Sequence, residues 1–335
     1  MHTSPHVLQS SGNRLSSMTK RIILQPPPER TWLSAYSFEK ILLEQNLSGV
    51  NAKSEICFVI PEEVGFTIET IVLLLHISNQ LADKGHNIQL EFANCNCKLM
   101  GYCKYMRFFD NLDSRIHVTP CPSTVDCEDA DHPAVVKMEV LNCKRDLTGL
   151  AKQLAKSIIN GIELYPSIEI SDREKNKLEH LHRTIITELI NNVQEHSETK
   201  LNGFATMQVY GGQRPRASLV ICDSGLGVFN TLRASEEPEN AHYKHESFKE
   251  IIKRIFDEGV TRKKHDDGGT GLRTCFRKAL KMNSDITIRT DCNQFRLFKL
   301  NEHDHPIEAL KINDNFMDIK GTFLCFEIPL LNKVC

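Results

Sequence analysis

Three short stretches in the second half of the chain constrain its fold more than any other feature. They are ELINNVQEH (Glu188 to His196), CDSGLGV (Cys222 to Val228) and GGTGL (Gly268 to Leu272). In that order they offer a helix with a carboxylate and an amide, an acidic turn with spaced glycines, and a glycine loop opening a second helix. Each is an ordinary local structure by itself, and their succession in one chain is what points to a shared site.

The first stretch falls in a helix expected over about 175–197, where Leu181, Ile185, Leu189 and Val193 recur at helical spacing and mark the buried face. Glu188, Asn192 and His196 follow one another at four-residue intervals and share a different, wholly polar stripe. A helix packed on a sheet gains nothing from aligned polar groups unless something binds them. Magnesium takes oxygen ligands in octahedral geometry and keeps several waters, so the amide oxygen of Asn192 with phosphate oxygens is a sensible protein contribution. Glu188, one turn earlier, would orient or deprotonate the attacking group. The competing reading is a solvated polar face on a surface helix.

Two strands, FATMQVYGG (Phe204 to Gly212) and ASLVICD (Ala217 to Asp223), flank a turn and read as an antiparallel pair ending on Asp223. A carboxylate there accepts from an amino group such as the exocyclic N6 of adenine. Gly225 and Gly227 remove side chains that would keep the backbone from a base and ribose. Asp-x-Gly-x-Gly is equally at home in an ordinary turn. In the third stretch Gly268, Gly269, Thr270, Gly271 and Leu272 lead into a helix spaced by Leu272, Phe276 and Leu280. Unpaired N–H groups and the positive end of the helix dipole suit phosphate there, with Thr270 adding a hydroxyl. Neither the P-loop nor the Rossmann glycine pattern is present.

These residues resemble the GHKL superfamily of ATPases, and most closely the histidine-kinase-like ATPase domain of the stand-alone anti-sigma-factor serine-kinase type. The resemblance covers about 167–331. It implies an α/β two-layer sandwich of the Bergerat type with a mixed sheet, ATP and Mg²⁺ as ligands, and Asn192 as the magnesium residue with Glu188 as the catalytic base. It further implies that Asp223 contacts adenine, that Gly225 and Gly227 shape the pocket, and that Gly269 to Leu272 form the phosphate end of a lid. A last strand, GTFLCFEIPL from Gly321, resembles the closing strand of that fold, with Thr322 on the adenine side. Residues 229–267 would be the lid, from which Arg262, Lys263 and Lys264 would reach the phosphates; a solvated basic loop is the competing reading.

Ahead of this half, EICFVIP, TIETIVLLLHISNQLADKG and HNIQLEFANC read as strand, helix, strand, the mark of an α/β unit, with Gly85 ending the helix. Residues 37–145 resemble a small STAS-like domain, although the stretch after the central strand, ANCNCKLMG, lacks the serine that accepts phosphate in signalling members. GYCKYMRFFDNL (Gly101 to Leu112) reads as a further helix. Residues 1–36, rich in Ser, His, Gln and Pro, read as disordered or extended. Residues 146–166 carry Leu147, Leu150, Leu154 and Ile158 on one face and are expected to link the halves or to mediate dimerisation.

At 335 residues with 40% hydrophobic content the chain can bury two ordinary cores, and its net charge of −2 gives no general attraction to nucleic acid. The best apolar run, Ile68 to Ile77, falls short of the roughly 20 residues that span a bilayer, so a soluble, cytoplasmic protein is expected. Its twelve cysteines are expected to stay reduced. Cys95, Cys97, Cys103, Cys121 and Cys127 lie near His117 but not in two Cys-x-x-Cys pairs, which favours core packing over zinc. Cys222 and Cys275, beside two of the motifs, raise an expectation of thiol-sensitive binding.

The expected function is Mg²⁺-dependent ATP binding with slow hydrolysis that regulates a partner protein or self-assembly. A serine/threonine kinase of the anti-sigma type and a non-hydrolysing ATP-gated module are the alternatives.

Overall fold

The computed structural model describes residues 19–47, 53–95, 97–127, 131–142, 147–165, 168–196, 199–234, 238–257, 270–298, 311–313 and 315–330. They form a mixed α/β structure with one parallel and one larger antiparallel sheet.

The small sheet has the order β1-β3-β5-β6, from Lys20–Ile23, Glu55–Ile60, Asn87–Phe92 and His117–Thr119, and every ladder in it is parallel. Parallel neighbours require a crossover, and α2 (Ile68–Asp83) supplies the one between β3 and β5. The short strands β2 (Trp32–Leu33) and β4 (Gly65–Phe66) pair separately, and α1 (Ala35–Glu44) starts at Ser34, whose hydroxyl caps the Ser37 N–H. β1 and β2 lie within the segment expected to be disordered or extended. Both are extended backbone, and the run Ile22-Ile23-Leu24 anchors the first, since Ile22 and Leu24 are fully buried. The helix expected over 101–112 is α3 (Lys98–Tyr105), ending earlier because Arg107 adopts a left-handed φ of 59° and Phe108 N–H returns to the Cys103 carbonyl.

The large sheet runs β12-β11-β10-β13-β9-β8-β7. Its members are β7 (Val135–Leu141), β8 (Gly203–Tyr210), β9 (Arg216–Cys222), β10 (Asp285–Asp291), β11 (Asn293–Leu297), β12 (Lys311–Asn313) and β13 (Ile319–Pro329). The mixed sheet expected of this half is antiparallel along every described ladder, and the parallel pairing lies in the four-stranded sheet and the β2–β4 pair. β7 lies before the expected domain boundary at 145 yet pairs with β8, so the second sheet draws an edge strand from the first half.

One face of the large sheet carries α4 (Thr148–Glu163), α5 (Asp172–His196), α7 (Phe248–Asp257) and α8 (Thr270–Lys281). α5 begins before Lys175 because Ser171 and Glu174 form a capping box: Ser171 N–H donates to Glu174 Oε2 at 2.9 Å, and Ser171 Oγ accepts from Glu174 N–H at 3.3 Å. Ser247 and Glu250 start α7 in the same way. The apolar stripe of α4 (Leu150, Leu154, Ile158) is buried in this core, so it is spent within the chain rather than presented for dimerisation.

The other face of the sheet is also covered. β9 turns Ala217, Leu219 and Ile221 toward the helices and Val220 and Cys222 toward the N-terminal half, while β13 divides Leu324, Phe326 and Ile328 from Phe323 and Cys325 in the same way. Burial on both sides is why these strands read as continuous apolar runs and not as alternations. The covering element is α2, which touches β5 on one side and β8, β9 and β13 on the other. It is apolar nearly all round because it lies between two sheets.

Candidate functional site

The site lies at the rim where α5, the C-terminal end of β9 and the beginning of β13 meet. Asp223 follows β9 and is paired to Thr322 on β13 through both backbone and side chain: Asp223 N–H donates to the Thr322 carbonyl at 3.0 Å, and Thr322 N–H donates to Asp223 Oδ2 at 3.1 Å. Oδ1 of Asp223 accepts from Gly225 N–H at 2.7 Å, which closes the turn. The carboxylate is only 9% exposed, and burial pushes its pKa up to about 6 against the lowering effect of these backbone bonds.

Two glycines let the turn sit on β13. Gly227 has φ +79° and caps α6 (Val228–Arg233); a Cβ there would meet Thr290 Oγ1 at 2.7 Å and the Gly321 carbonyl at 2.8 Å. Gly321 has φ +89°, and a Cβ on it would lie 2.6 Å from the Asp223 carbonyl carbon and 2.8 Å from Ser224 Cα. Thr290 Oγ1 donates to the Gly321 carbonyl at 2.8 Å, so β10 holds the same junction. Gly225 is buried in the turn, where it supplies a backbone donor.

α5 is joined to the turn through Gly203, whose absent Cβ would lie 3.0 Å from Val193 and 3.4 Å from Asp223 Cα. Asn192, next to Val193, is half-buried, and its amide nitrogen is buried with no hydrogen-bond partner. Amide nitrogen and oxygen are interchangeable by a flip, so one polar end of Asn192 is available to a ligand in either orientation. Glu188 is half-buried one turn earlier, and a Cβ on Gly271 would lie 2.7 Å from its Oε2. The first and third stretches, more than seventy residues apart, are therefore in contact through Glu188 and Gly271.

The other expected residues divide. Thr270 is the first residue of α8, and Leu272 packs against the C-terminal core, which gives it a structural role. Lys263, Gly268 and Gly269, with Arg262 and Lys264, lie outside the described residues, as does the His196 side chain. Cys275 and Cys222 are buried, and burial pushes the Cys275 thiol up to about 12 and raises that of Cys222, so neither is a thiolate at neutral pH; the expectation of thiol sensitivity loses its chemical basis.

The ten described cysteines are free. Among the described residues the metal-type cluster is not the cysteine group of 95–127 but Glu69, Cys325 and Glu327, where Arg216 already pairs with Glu327. No described helix is long and apolar enough to cross a membrane.

Several residues behind the rim escaped the sequence reading. Arg289 on β10 is 1% exposed and bonds Glu39 of α1, with Nε 2.5 Å from Oε1 and further donation to the carbonyls of Asp291 and Met317. His76 and Gln80 of α2 reach Lys320 and Ser224. The available signal was a pair of polar residues at 76 and 80, one turn apart in a largely apolar helix.

No protein-family profile and no curated protein matches the chain. Among solved structures, the mycobacterial sensor histidine kinase MprB is similar over 45% of this chain and 71% of its own, at 16% identity and a TM-score of 0.23.

Proposed function

We propose that the chain binds ATP with Mg²⁺ at this rim, hydrolyses it slowly and uses the cycle to regulate a partner protein. The observation that carries the reading is the convergence of three sequence-distant stretches: Glu188 beside Gly271, and Val193 and Asp223 on either side of Gly203. The residues fit the ligands by their chemistry. Asn192 has a buried amide atom without a partner, Glu188 offers a carboxylate, and both present the hard oxygen donors that magnesium prefers. Bound magnesium would neutralise charge on the phosphate oxygens.

Asp223 accepts from the adenine amino group with lone pairs not used by Gly225 and Thr322, and its fixed orientation gives selection for adenine over guanine. Glu188 orients the attacking water and takes its proton, a contribution on the order of 10²–10⁴ in rate. The N-terminus of α8 lies next to Glu188, and the N–H groups and positive dipole end of a helix start suit a terminal phosphate there.

The test is nucleotide binding and turnover on the full chain with Mg²⁺, for wild type, Glu188→Ala, Asn192→Ala and Asp223→Asn, following released phosphate and label transfer to protein in a cell extract. Phosphate release abolished by Glu188→Ala with ATP binding retained supports the ATPase. Label on one extract protein moves the assignment to a protein kinase, tight binding with neither product to an ATP-gated switch, and no nucleotide binding by wild type refutes the site.

A further inference from the structure

α2 carries His76 and Gln80 four residues apart, hence on one stripe, and each is at most 3% exposed. That stripe meets the large sheet where β13 begins. Gln80 pairs with the backbone of Lys320 as a peptide group would: its Oε1 accepts from Lys320 N–H at 2.9 Å, and its Nε2 donates to the Lys320 carbonyl at 2.8 Å. The two bonds fix which end of the amide is nitrogen, because a flipped group would set donor against donor and acceptor against acceptor.

The same Gln80 nitrogen lies 2.8 Å from His76 Nε2. An amide nitrogen only donates, so His76 Nε2 accepts the second hydrogen and the ring carries its proton on Nδ1. Nδ1 lies 3.4 Å from Ser224 Oγ and donates to it. The 3.1 Å separation of His76 Nε2 from the Lys320 carbonyl is then an approach of two acceptors, both held by the one Gln80 amide. Burial lowers the His76 pKa to about 4, which keeps the ring in the neutral form this arrangement requires.

The two groups held by α2 are the backs of the two segments whose fronts form the base side of the rim. Ser224 stands between Asp223 and Gly225, and Lys320 directly precedes Gly321 and Thr322. We infer that His76 and Gln80 are positioning residues for the nucleotide pocket: the N-terminal half sets the geometry of the Asp223 turn, and nucleotide binding in return tightens α2 against the sheet. The return effect follows from linkage, because a contact that favours the binding-competent turn is itself favoured when ligand is bound. This inference rests on the ATP reading of the rim for its ligand but not for its positioning step.

The experiment compares full-length wild type, His76→Leu, His76→Asn, Gln80→Leu and Gln80→Glu. Hydrogen exchange is followed at 222–227 and 319–323 without nucleotide, and ATP and GTP affinities are measured by calorimetry. His76→Asn places an amide donor near the position of Nδ1 and keeps the bond to Ser224, whereas His76→Leu removes it. Faster exchange at both segments is expected in His76→Leu and in the two Gln80 variants, with β11 unchanged. A tenfold or greater loss of ATP affinity and a narrowed ATP-to-GTP ratio are expected in His76→Leu, with recovery to within about threefold of wild type in His76→Asn. In wild type, ATP should slow exchange along α2. Gln80→Glu keeps side-chain shape and supplies the reading should Gln80→Leu fail to fold. Unchanged exchange at both segments in all four variants overturns the positioning role, whether or not nucleotide binds. Absence of ATP binding by wild type with exchange altered as expected removes the nucleotide assignment and leaves the positioning role standing.

Discussion

Gly321→Ala is the substitution for which the structure gives the sharpest expectation, because Gly212 provides an internal control. Both glycines lie at nearly the same left-handed φ, +89° and +96°. A side chain at either position bears the left-handed conformational penalty, roughly 1–2 kcal/mol for a non-glycine residue. At Gly212 nothing lies within 4 Å of the added Cβ, so that penalty is the whole expected cost. At Gly321 the Cβ would fall 2.6 Å from the Asp223 carbonyl carbon and 2.8 Å from Ser224 Cα. Those neighbours are backbone and cannot rotate away, so the junction of β9 and β13 must separate. Overpacking of this kind adds typically 1–3 kcal/mol.

The expected loss of unfolding free energy is therefore about 1–2 kcal/mol for Gly212→Ala and about 2–5 kcal/mol for Gly321→Ala. Denaturant titration of both variants measures it, with unchanged slopes as the sign that the native state alone was altered. The displacement also moves Asp223 relative to Thr322, so ATP affinity should fall in Gly321→Ala and stay near wild type in Gly212→Ala. Equal destabilisation by the two alanines, or full ATP affinity in Gly321→Ala, would refute the tight junction as the basis of the pocket.

Four further expectations follow from the same contacts. Glu39→Ala leaves the Arg289 guanidinium buried without its counter-ion and should cost about 3–5 kcal/mol, whereas Glu39→Leu with Arg289→Met should recover most of it; a double-mutant cycle in denaturant checks this. ATP affinity should be constant above pH 7 and fall by up to about tenfold per unit as pH drops below about 6 and Asp223 protonates, a dependence that calorimetry should find missing in Asp223→Asn. His182 is buried with neither ring nitrogen hydrogen-bonded, and burial lowers its pKa to about 4, so the folded state stays neutral while the unfolded chain protonates below about 6.5. Its contribution to stability is present above pH 6.5 and lost as pH falls toward 4, and His182→Leu should flatten the stability profile in that window by one proton. Residues 131–335 expressed alone expose the sheet face bearing Phe204, Val220 and Phe323 and should aggregate or bind hydrophobic dye; a soluble monomer of undiminished stability would show the two cores to be separable.

The elements of the second half were legible because their signals are local. The strands either side of the turn at 211–215 announce themselves by composition, whereas the capping boxes of Ser171 with Glu174 and Ser247 with Glu250, though visible as letters, went unread, which is why α5 starts earlier than expected. That Glu188 lies beside Gly271 and Asp223 beside Thr322 follows from reading the motifs together, since no one of them points to the others alone. The edge position of β7 was not legible, since a strand before a linker carries no mark of which sheet it joins, and its partner β8 begins more than sixty residues later. The burial of Ile22 and Leu24 was obscured by the polar composition around them. Arg289, Glu39, His76 and Gln80 take their meaning from contacts across more than two hundred residues of sequence, and no periodicity encodes those.

The shared layer also limits how the N-terminal half can regulate. Detaching α1 and α2 from the large sheet would expose Phe204, Val220, Met317, Ile319 and Phe323, all now buried, at about 1.5–3 kcal/mol each, before the matching face of α2 and the Glu39–Arg289 pair are counted. A ligand present at a thousandfold excess over its dissociation constant contributes only about 4 kcal/mol to the state it prefers. On the proposed ATP reading, nucleotide binding would lack the free energy to undock the N-terminal half, even if its affinity for the docked state were nil. What that free energy can move is the set of hydrogen bonds at the junction, where Gln80, His76, Ser224 and Lys320 exchange single contacts of about 0.5–1.5 kcal/mol. If the proposed cycle operates, the signal between the halves would be a small change in how α2 seats on β13, and a partner reading it would touch the N-terminal half in its docked position.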